Sequence, residues 1–95
     1  MNLYFISQQK NSGYDTYDSA VVSAQTEKEA RETWPGYSTT KFWSESKKTW
    51  ADTESDHTYD NPYEWTTPEH VEVYFIGTAK EGTEPGVICA SFNAG

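Results

Sequence analysis

The chain has 95 residues with 7 basic and 15 acidic side chains, a formal charge of −8, and the size of one small domain spanning residues 1–95. Hydrophobic residues make up 35% of the chain and aromatic residues 16%, so we expect a small folded core built largely from rings rather than a disordered chain. The excess of acids argues against direct binding of nucleic acid, because neutralising phosphates needs a face rich in Lys and Arg.

The N-terminal part of the chain predicts a β-hairpin. Residues 3–6 form a run of aromatic and branched side chains typical of a strand, and residues 8–13 are turn formers. Residues 19–24 predict a second strand, antiparallel to the first. The N-terminus lacks the charged start and apolar stretch of a signal peptide, and no run approaches the ~20 apolar residues that span a bilayer, so we expect a cytoplasmic protein.

A short helix is predicted after the hairpin. Thr26 and Glu29 form a capping box, in which each side chain accepts a hydrogen bond from the backbone amide of the other residue. The helix is expected to run from Glu27 to about Trp34, because Pro35 disfavours helical geometry at the residue before it. A helix of about two turns needs a sheet beneath it to be stable.

Residues 37–68 form a variable segment of polar and aromatic residues without helical periodicity. Within it, residues 39–43 and 49–51 favour strands, whereas residues 52–62 combine Asp, Ser, Thr, Asn and Pro and predict a loop.

The C-terminal part predicts a second antiparallel hairpin. Residues 71–76 alternate in the manner of a strand, residues 80–86 are turn formers, and residues 87–92 predict the last strand. Cys89 lies within the apolar run of that strand, so we expect it to be buried, unpaired and without a catalytic role.

These elements together predict an α+β fold in the order ββα-x-ββ, where x is the variable segment. One short helix packs on one face of an antiparallel sheet of four or five strands. The other face of the sheet is left to solvent or to a binding partner.

Two runs of residues, YDTYDSAVV at residues 14–22 and GVICASFNAG at residues 86–95, stand near the two ends of the chain. With the helix around residues 29–31 and the following Pro35, they resemble a family of small uncharacterised proteins of tailed bacteriophages and prophages. The resemblance implies a phage origin and no particular activity. The opening order of two strands and a capped helix is also similar to that of some small phage anti-CRISPR proteins, which is an analogy of fold alone.

Acidic residues concentrate in and just after the variable segment. Residues 51–72 contain seven acids and no Lys or Arg, so they hold −7 of the total charge of −8. Such a stretch is either a solvated loop, the usual role of charge runs, or a phosphate-like surface that enters a basic channel of a partner and steers association. The aromatic residues beside the acids either pack the segment onto the sheet or anchor a protein partner. The residues predicted to bind are Trp50, Asp52, Glu54, Asp56, Asp60, Tyr63, Glu64 and Trp65.

The sequence lacks the usual catalytic and metal-binding patterns. The alternating acids from Asp52 to Asp56 match the first half of a calcium loop, but its sixth and twelfth positions hold His57 and Tyr63 instead of Gly and Glu. The two histidines lack the spacing of zinc ligands, and no glycine motif for phosphate binding occurs. We therefore expect a protein that is not an enzyme and uses no cofactor or metal.

The sequence as a whole favours a phage-encoded acidic protein that binds a host protein, in particular a basic one that itself binds nucleic acid. Inhibition of a host defence, as by anti-CRISPR proteins, is the corresponding activity. A structural or oligomerising phage accessory protein is the alternative, and a binder of small molecules or nucleotides or an enzyme is less favoured.

Overall fold

The structure, a computed structural model, describes residues 1–11, 13–36, 40–53 and 64–93 in full and the backbone of residues 55–59. In chain order the elements are β1 (Asn2–Ser7), β2 (Thr16–Ala24), α1 (Glu27–Arg31), β3 (Lys41–Ser44), β4 (Thr49–Asp52), β5 (Ser55–Tyr59), a 3-10 turn (Pro68–His70), β6 (Glu72–Thr78) and β7 (Gly86–Asn93).

The strands form two antiparallel sheets. A four-stranded sheet has the order β6-β1-β2-β7, and a three-stranded sheet has the order β3-β4-β5. The expected class, an antiparallel sheet with one short helix, is confirmed, but the variable segment contributes a separate sheet of its own. The loop predicted over residues 52–62 contains β5, because pairing with β4 overrides the turn-forming tendency of these residues.

The first two strands form the predicted hairpin, whereas the last two do not pair with each other. β6 lies beside β1 and β7 lies beside β2, at opposite edges of the four-stranded sheet. Residues 79–85 cross the end of the central hairpin, where the Ala79 amide donates to the Met1 carbonyl at 3.0 Å and the Ser23 hydroxyl donates to the Glu84 carbonyl. The crossing spans three strand spacings, roughly 14 Å, which seven residues reach easily. The prediction of a C-terminal hairpin is therefore wrong.

The helix begins after Thr26 as predicted and ends earlier than expected. The capping box differs in one bond, because the Glu29 carboxylate accepts from the Gln25 amide at 3.0 Å instead of the predicted Thr26 amide. The amide of Glu29 donates to the Thr26 hydroxyl at 3.2 Å, and α1 then runs only to Arg31. The amide of Glu32 donates to both the Lys28 and the Ala30 carbonyls, so the last turn tightens and the helix stops three residues before Trp34.

Tryptophan rings fill the space between the sheets. The Trp34 and Trp50 rings meet edge to face with centroids 5.2 Å apart, and Trp43 meets Trp50 in the same way at 5.5 Å. Trp65 is 1% exposed and joins the same core cluster, together with Ile6 from the four-stranded sheet. The rings thus hold the variable segment against the rest of the fold, because each large aromatic side chain buries a large apolar area in this small core.

Gly36 is the glycine whose replacement is expected to disturb this core. An added Cβ atom would lie 2.7 Å from Trp34 Nε1 and 3.1 Å from the Tyr17 hydroxyl oxygen, and both rings are buried. We expect Gly36→Ala to lower the free energy of unfolding by about 1 to 3 kcal/mol, measured by urea denaturation. Gly13→Ala is the control, because nothing lies within 4 Å of its added Cβ. Equal denaturation midpoints for the two variants would contradict the close packing at Gly36.

Candidate interaction surface

A row of four side chains crosses the outer face of the four-stranded sheet, the face turned away from the core. Phe5 of β1 lies opposite Tyr74 of β6 on one side and opposite Val21 of β2 on the other. Val21 in turn lies opposite Cys89 of β7. Because successive residues of a strand point to opposite faces, these four side chains share one face. We call Tyr74, Phe5, Val21 and Cys89 the outer row.

The outer row is open to solvent. Tyr74 is 54% exposed and Phe5 is 36% exposed, and their ring centroids are 6.5 Å apart. The neighbours of Phe5 along β1, Tyr4 and Ile6, point the other way and are buried in the core. The chain therefore leaves large apolar groups uncovered on one face while its core is small, a feature that marks interaction sites more often than plain solvated surface.

Charge is sparse on this face. The next row toward one end of the sheet consists of Ser7, Ser19, Ser91 and Glu72. Among these positions and those of the outer row, Glu72 alone is charged. Two rows with one acid, in a chain of charge −8, offer a partner an apolar contact without a large cost of desolvating charge.

Each edge strand carries an exposed isoleucine at a break in its pairing register. Gly77 and Phe75 of β6 pair with consecutive residues of β1, which leaves Ile76 as an extra residue. Cys89 and Val87 of β7 likewise pair with consecutive residues of β2, which leaves Ile88 extra. Both isoleucines are 53% exposed, so the apolar surface continues onto both edges.

The prediction that Cys89 is buried is wrong, since the thiol is exposed. Its strand is an edge strand, and the extra residue Ile88 shifts the alternation so that Val87 and Ala90 pack against the core instead. A short apolar run suggests a strand that is buried on both faces. When only one face of the sheet is covered, however, every second side chain of the strand stays exposed.

The structure places the predicted binding residues in different environments. Trp50 and Trp65 are buried, so these two rings pack the variable segment onto the fold and are not exposed anchors for a partner. Asp52 and Glu64 are partly buried. Asp56 lies in β5, of which the backbone is described. Three predicted residues lie outside the described part of the chain: Glu54, Asp60 and Tyr63.

The two buried tryptophans differ in their polar atoms. Trp50 Nε1 donates to the Thr66 carbonyl at 3.0 Å, next to Trp65 in the chain. Trp65 Nε1 is buried and finds no hydrogen-bond partner among the described residues, whereas its backbone carbonyl accepts from Asn11 Nδ2 at 2.6 Å. The Trp65 indole N–H thus carries the cost of an unpaired buried donor.

Folding places a basic side chain beside the acidic stretch, residues 51–72, which contains no Lys or Arg of its own. Lys41 of β3 lies directly opposite Asp52 of β4 in the three-stranded sheet. The Lys41 ammonium group also stands 4.5 Å from the centroid of the Trp34 ring. Opposite charges at facing positions of two strands attract, so Asp52 contributes less to the field of the acidic stretch than its neighbours in the sequence.

A half-open cavity of about 350 Å³ lies beside the three-stranded sheet and is lined by Trp43, Glu45, Lys48, Thr67, Pro68 and Glu69. Hydrogen bonds from Lys48 and from Trp43 Nε1 lower the pKa of the Glu45 carboxyl. Glu45 thus accepts hydrogen bonds from two other residues of the cavity wall.

The described residues contain no group of three or more His, Cys, Asp or Glu side chains placed to hold a metal ion. Within the same residues, no helix combines the length and apolar character needed to cross a membrane. Comparison with family models, curated proteins and solved structures finds no match for this chain.

The outer row cannot be predicted from the sequence alone. The strand pattern separates the face of Val71, Val73 and Phe75 from that of Tyr74, and it allows the second face to bind a partner. It does not show that Phe5 and Tyr74 become neighbours, because their pairing joins residues far apart in the chain.

Proposed function

We propose that this chain is a phage-encoded acidic protein that binds a host protein through the outer face of its four-stranded sheet and acts by occupancy rather than by catalysis. Inhibition of a host defence is the activity this binding would serve in the host cytoplasm. The resemblance of both ends of the chain to tailed-phage proteins supports the phage origin.

The observation that carries the proposal is the uncovered outer row. Rings of Tyr and Phe supply much of the binding energy at protein interfaces, because they bury a large area at a small cost in side-chain entropy. Tyr74 offers an exposed ring with a polar tip, beside the partly exposed ring of Phe5. The rows around them are mostly small and uncharged, which allows close approach of a partner.

The charge of the chain favours a basic partner. A formal charge of −8 on 95 residues attracts positively charged surfaces and repels acidic ones before contact is made. An apolar contact face on an acidic protein thus fits a host protein that carries an apolar patch beside a basic surface. A host protein that itself binds nucleic acid combines these features.

The test is capture of partners from bacterial lysate by the immobilised chain, comparing Tyr74→Ala with Phe42→Ala. Phe42 is also an exposed ring, 43% exposed, but it lies on the three-stranded sheet. We expect Tyr74→Ala to weaken binding of the captured protein at least tenfold with an unchanged melting temperature, and Phe42→Ala to leave both unchanged.

Two outcomes would contradict the proposed face. The first is equal binding by the Tyr74→Ala variant and the original chain. The second is loss of binding with Phe42→Ala alone, which would move the contact to the three-stranded sheet. Capture of a basic protein in stoichiometric amount supports the proposed class of partner, and recovery of acidic proteins alone argues against it.

A further inference from the structure

The outer edge of β7 lacks two of the devices that usually protect a sheet edge, charged side chains and proline. No strand in the described ranges pairs with this edge, and β7 runs for 8 residues without a charged side chain or a proline. Its pairing with β2 has two irregularities, the extra residue Ile88 of β7 and the extra residue Asp18 of β2, so residues 89–93 contain no bulge in β7 itself. Edges of this length normally carry Lys, Pro or a bulge that blocks pairing with another chain.

The backbone groups available at this edge follow from the pairing with β2. The Tyr17 amide donates to the Glu64 carbonyl at 2.9 Å and so points away from β7. Tyr17 lies opposite Phe92 of β7. Because the Tyr17 amide points away from β7, Tyr17 and Phe92 form a pair that exchanges no hydrogen bonds. By the alternation of an antiparallel ladder, Phe92 and Ala90 direct their N–H and C=O groups outward, toward the free edge.

A second copy of the chain fits this edge because the edge is self-complementary and β7 carries no charged side chain. Two chains of charge −8 repel each other wherever their acids face, but β7 brings none of its own. The nearest acids on the connection before β7, Glu81 and Glu84, lie beyond its Gly86 end, away from residues 89–93. Two acids lie behind the edge, Asp18 of β2 and Asp15, whose amide donates to the Asn93 carbonyl. An antiparallel edge also matches itself about a twofold axis, so a copy supplies the complementary groups without any further feature.

We propose that β7 pairs with β7 of a second copy, antiparallel about a twofold axis at Ser91, to form one continuous eight-stranded sheet. In this register Ala90 exchanges both hydrogen bonds with Phe92 of the second copy, and Phe92 does so with Ala90, which gives four backbone hydrogen bonds. Ser91 lies opposite its own counterpart in a pair that exchanges none. The pairing also joins the outer rows of the two copies, and it stands independently of the proposed host partner.

Four backbone hydrogen bonds along one strand make a small contact, whereas ordinary stable interfaces bury at least roughly 1,200 Å². The dimer is therefore expected to depend on protein concentration. Sedimentation velocity over a wide range of protein concentration should show a shift from monomer to dimer, and a monomer at every concentration would overturn the proposal.

The register is tested by disulfide trapping. Ser91 is exposed, and facing residues that exchange no hydrogen bonds have Cα atoms about 4.5 Å apart, within the range of a disulfide. The double variant Cys89→Ser, Ser91→Cys should therefore form a covalent dimer under mild oxidation. The original chain should not, because the two Cys89 Cα atoms would lie roughly 14 Å apart. Equal or faster trapping through Cys89 would overturn this register.

A charge at the twofold axis gives the matching test of the edge. Ser91→Lys places two ammonium groups opposite each other and should raise the dimer dissociation constant roughly tenfold or more. Thr78→Lys makes the same charge change at an exposed residue of the opposite edge strand and should leave the dimer intact. Equal effects of the two substitutions would mean that net charge, and not the β7 edge, controls association.

Discussion

Replacing Trp65 by alanine is expected to lower the free energy of unfolding by about 3 to 5 kcal/mol, as measured by urea denaturation. Its side chain is 1% exposed and belongs to the core cluster that holds the variable segment in place. Domains of this kind have a total stability of about 5 to 15 kcal/mol, so the loss is a large part of what is available. A loss of partner binding by this variant with an unchanged melting temperature would contradict the buried position of the ring.

Phenylalanine at the same position separates the contribution of the ring from that of the indole N–H. Trp65 Nε1 has no partner in the described part of the chain, so Trp65→Phe removes a buried donor that is unpaired there while keeping most of the apolar area. The control is Trp50→Phe, which deprives the Thr66 carbonyl of its bond from Trp50 Nε1. We expect Trp50→Phe to cost about 1 to 3 kcal/mol more than Trp65→Phe, because it leaves a buried acceptor unpaired. Equal costs would mean that the hydrogen bond contributes nothing.

Neutralising the acidic stretch is expected to slow association with the captured host protein about tenfold at low salt and to weaken the salt dependence of the rate. The variant replaces Asp52, Glu54, Asp56 and Asp60 by Asn or Gln, and stopped-flow mixing at several ionic strengths measures the rate. Charges of this kind contribute little to folding stability, so the melting temperature should change little. The single change Asp52→Asn should have the smallest effect of the four, since Lys41 faces Asp52 across the sheet.

A control variant of equal charge tests whether position matters. Four acids outside the stretch can be neutralised in the same way, and all four are exposed: Asp18, Glu27, Glu81 and Glu84. If this variant slows association as much as the first, net charge alone sets the rate and the stretch has no special role. An unchanged rate and salt slope for the first variant would leave the stretch with solubility as its only role.

Several local features could be predicted because their causes lie within a few residues. The capping box at Thr26 depends on a residue three positions away, and the strands β1, β2 and β6 depend on alternation over six to nine residues. β5 escaped prediction because its residues favour turns by themselves and become a strand only through β4. The side of the sheet on which Cys89 lies depends on the extra residue at Ile88, which no local pattern indicates.

The sequence by itself determined the antiparallel α+β class, the place where the helix begins, and the acidic and aromatic character of the variable segment. Only the tertiary structure decided that β6 and β7 take opposite edges, that Trp65 is buried, and that Phe5, Tyr74 and Cys89 lie on an open face. The physical reason is the distance along the chain over which each interaction acts. Propensity and capping act between neighbours in the chain, whereas edge position and exposure follow from which distant strands pair and from what covers each face of the sheet.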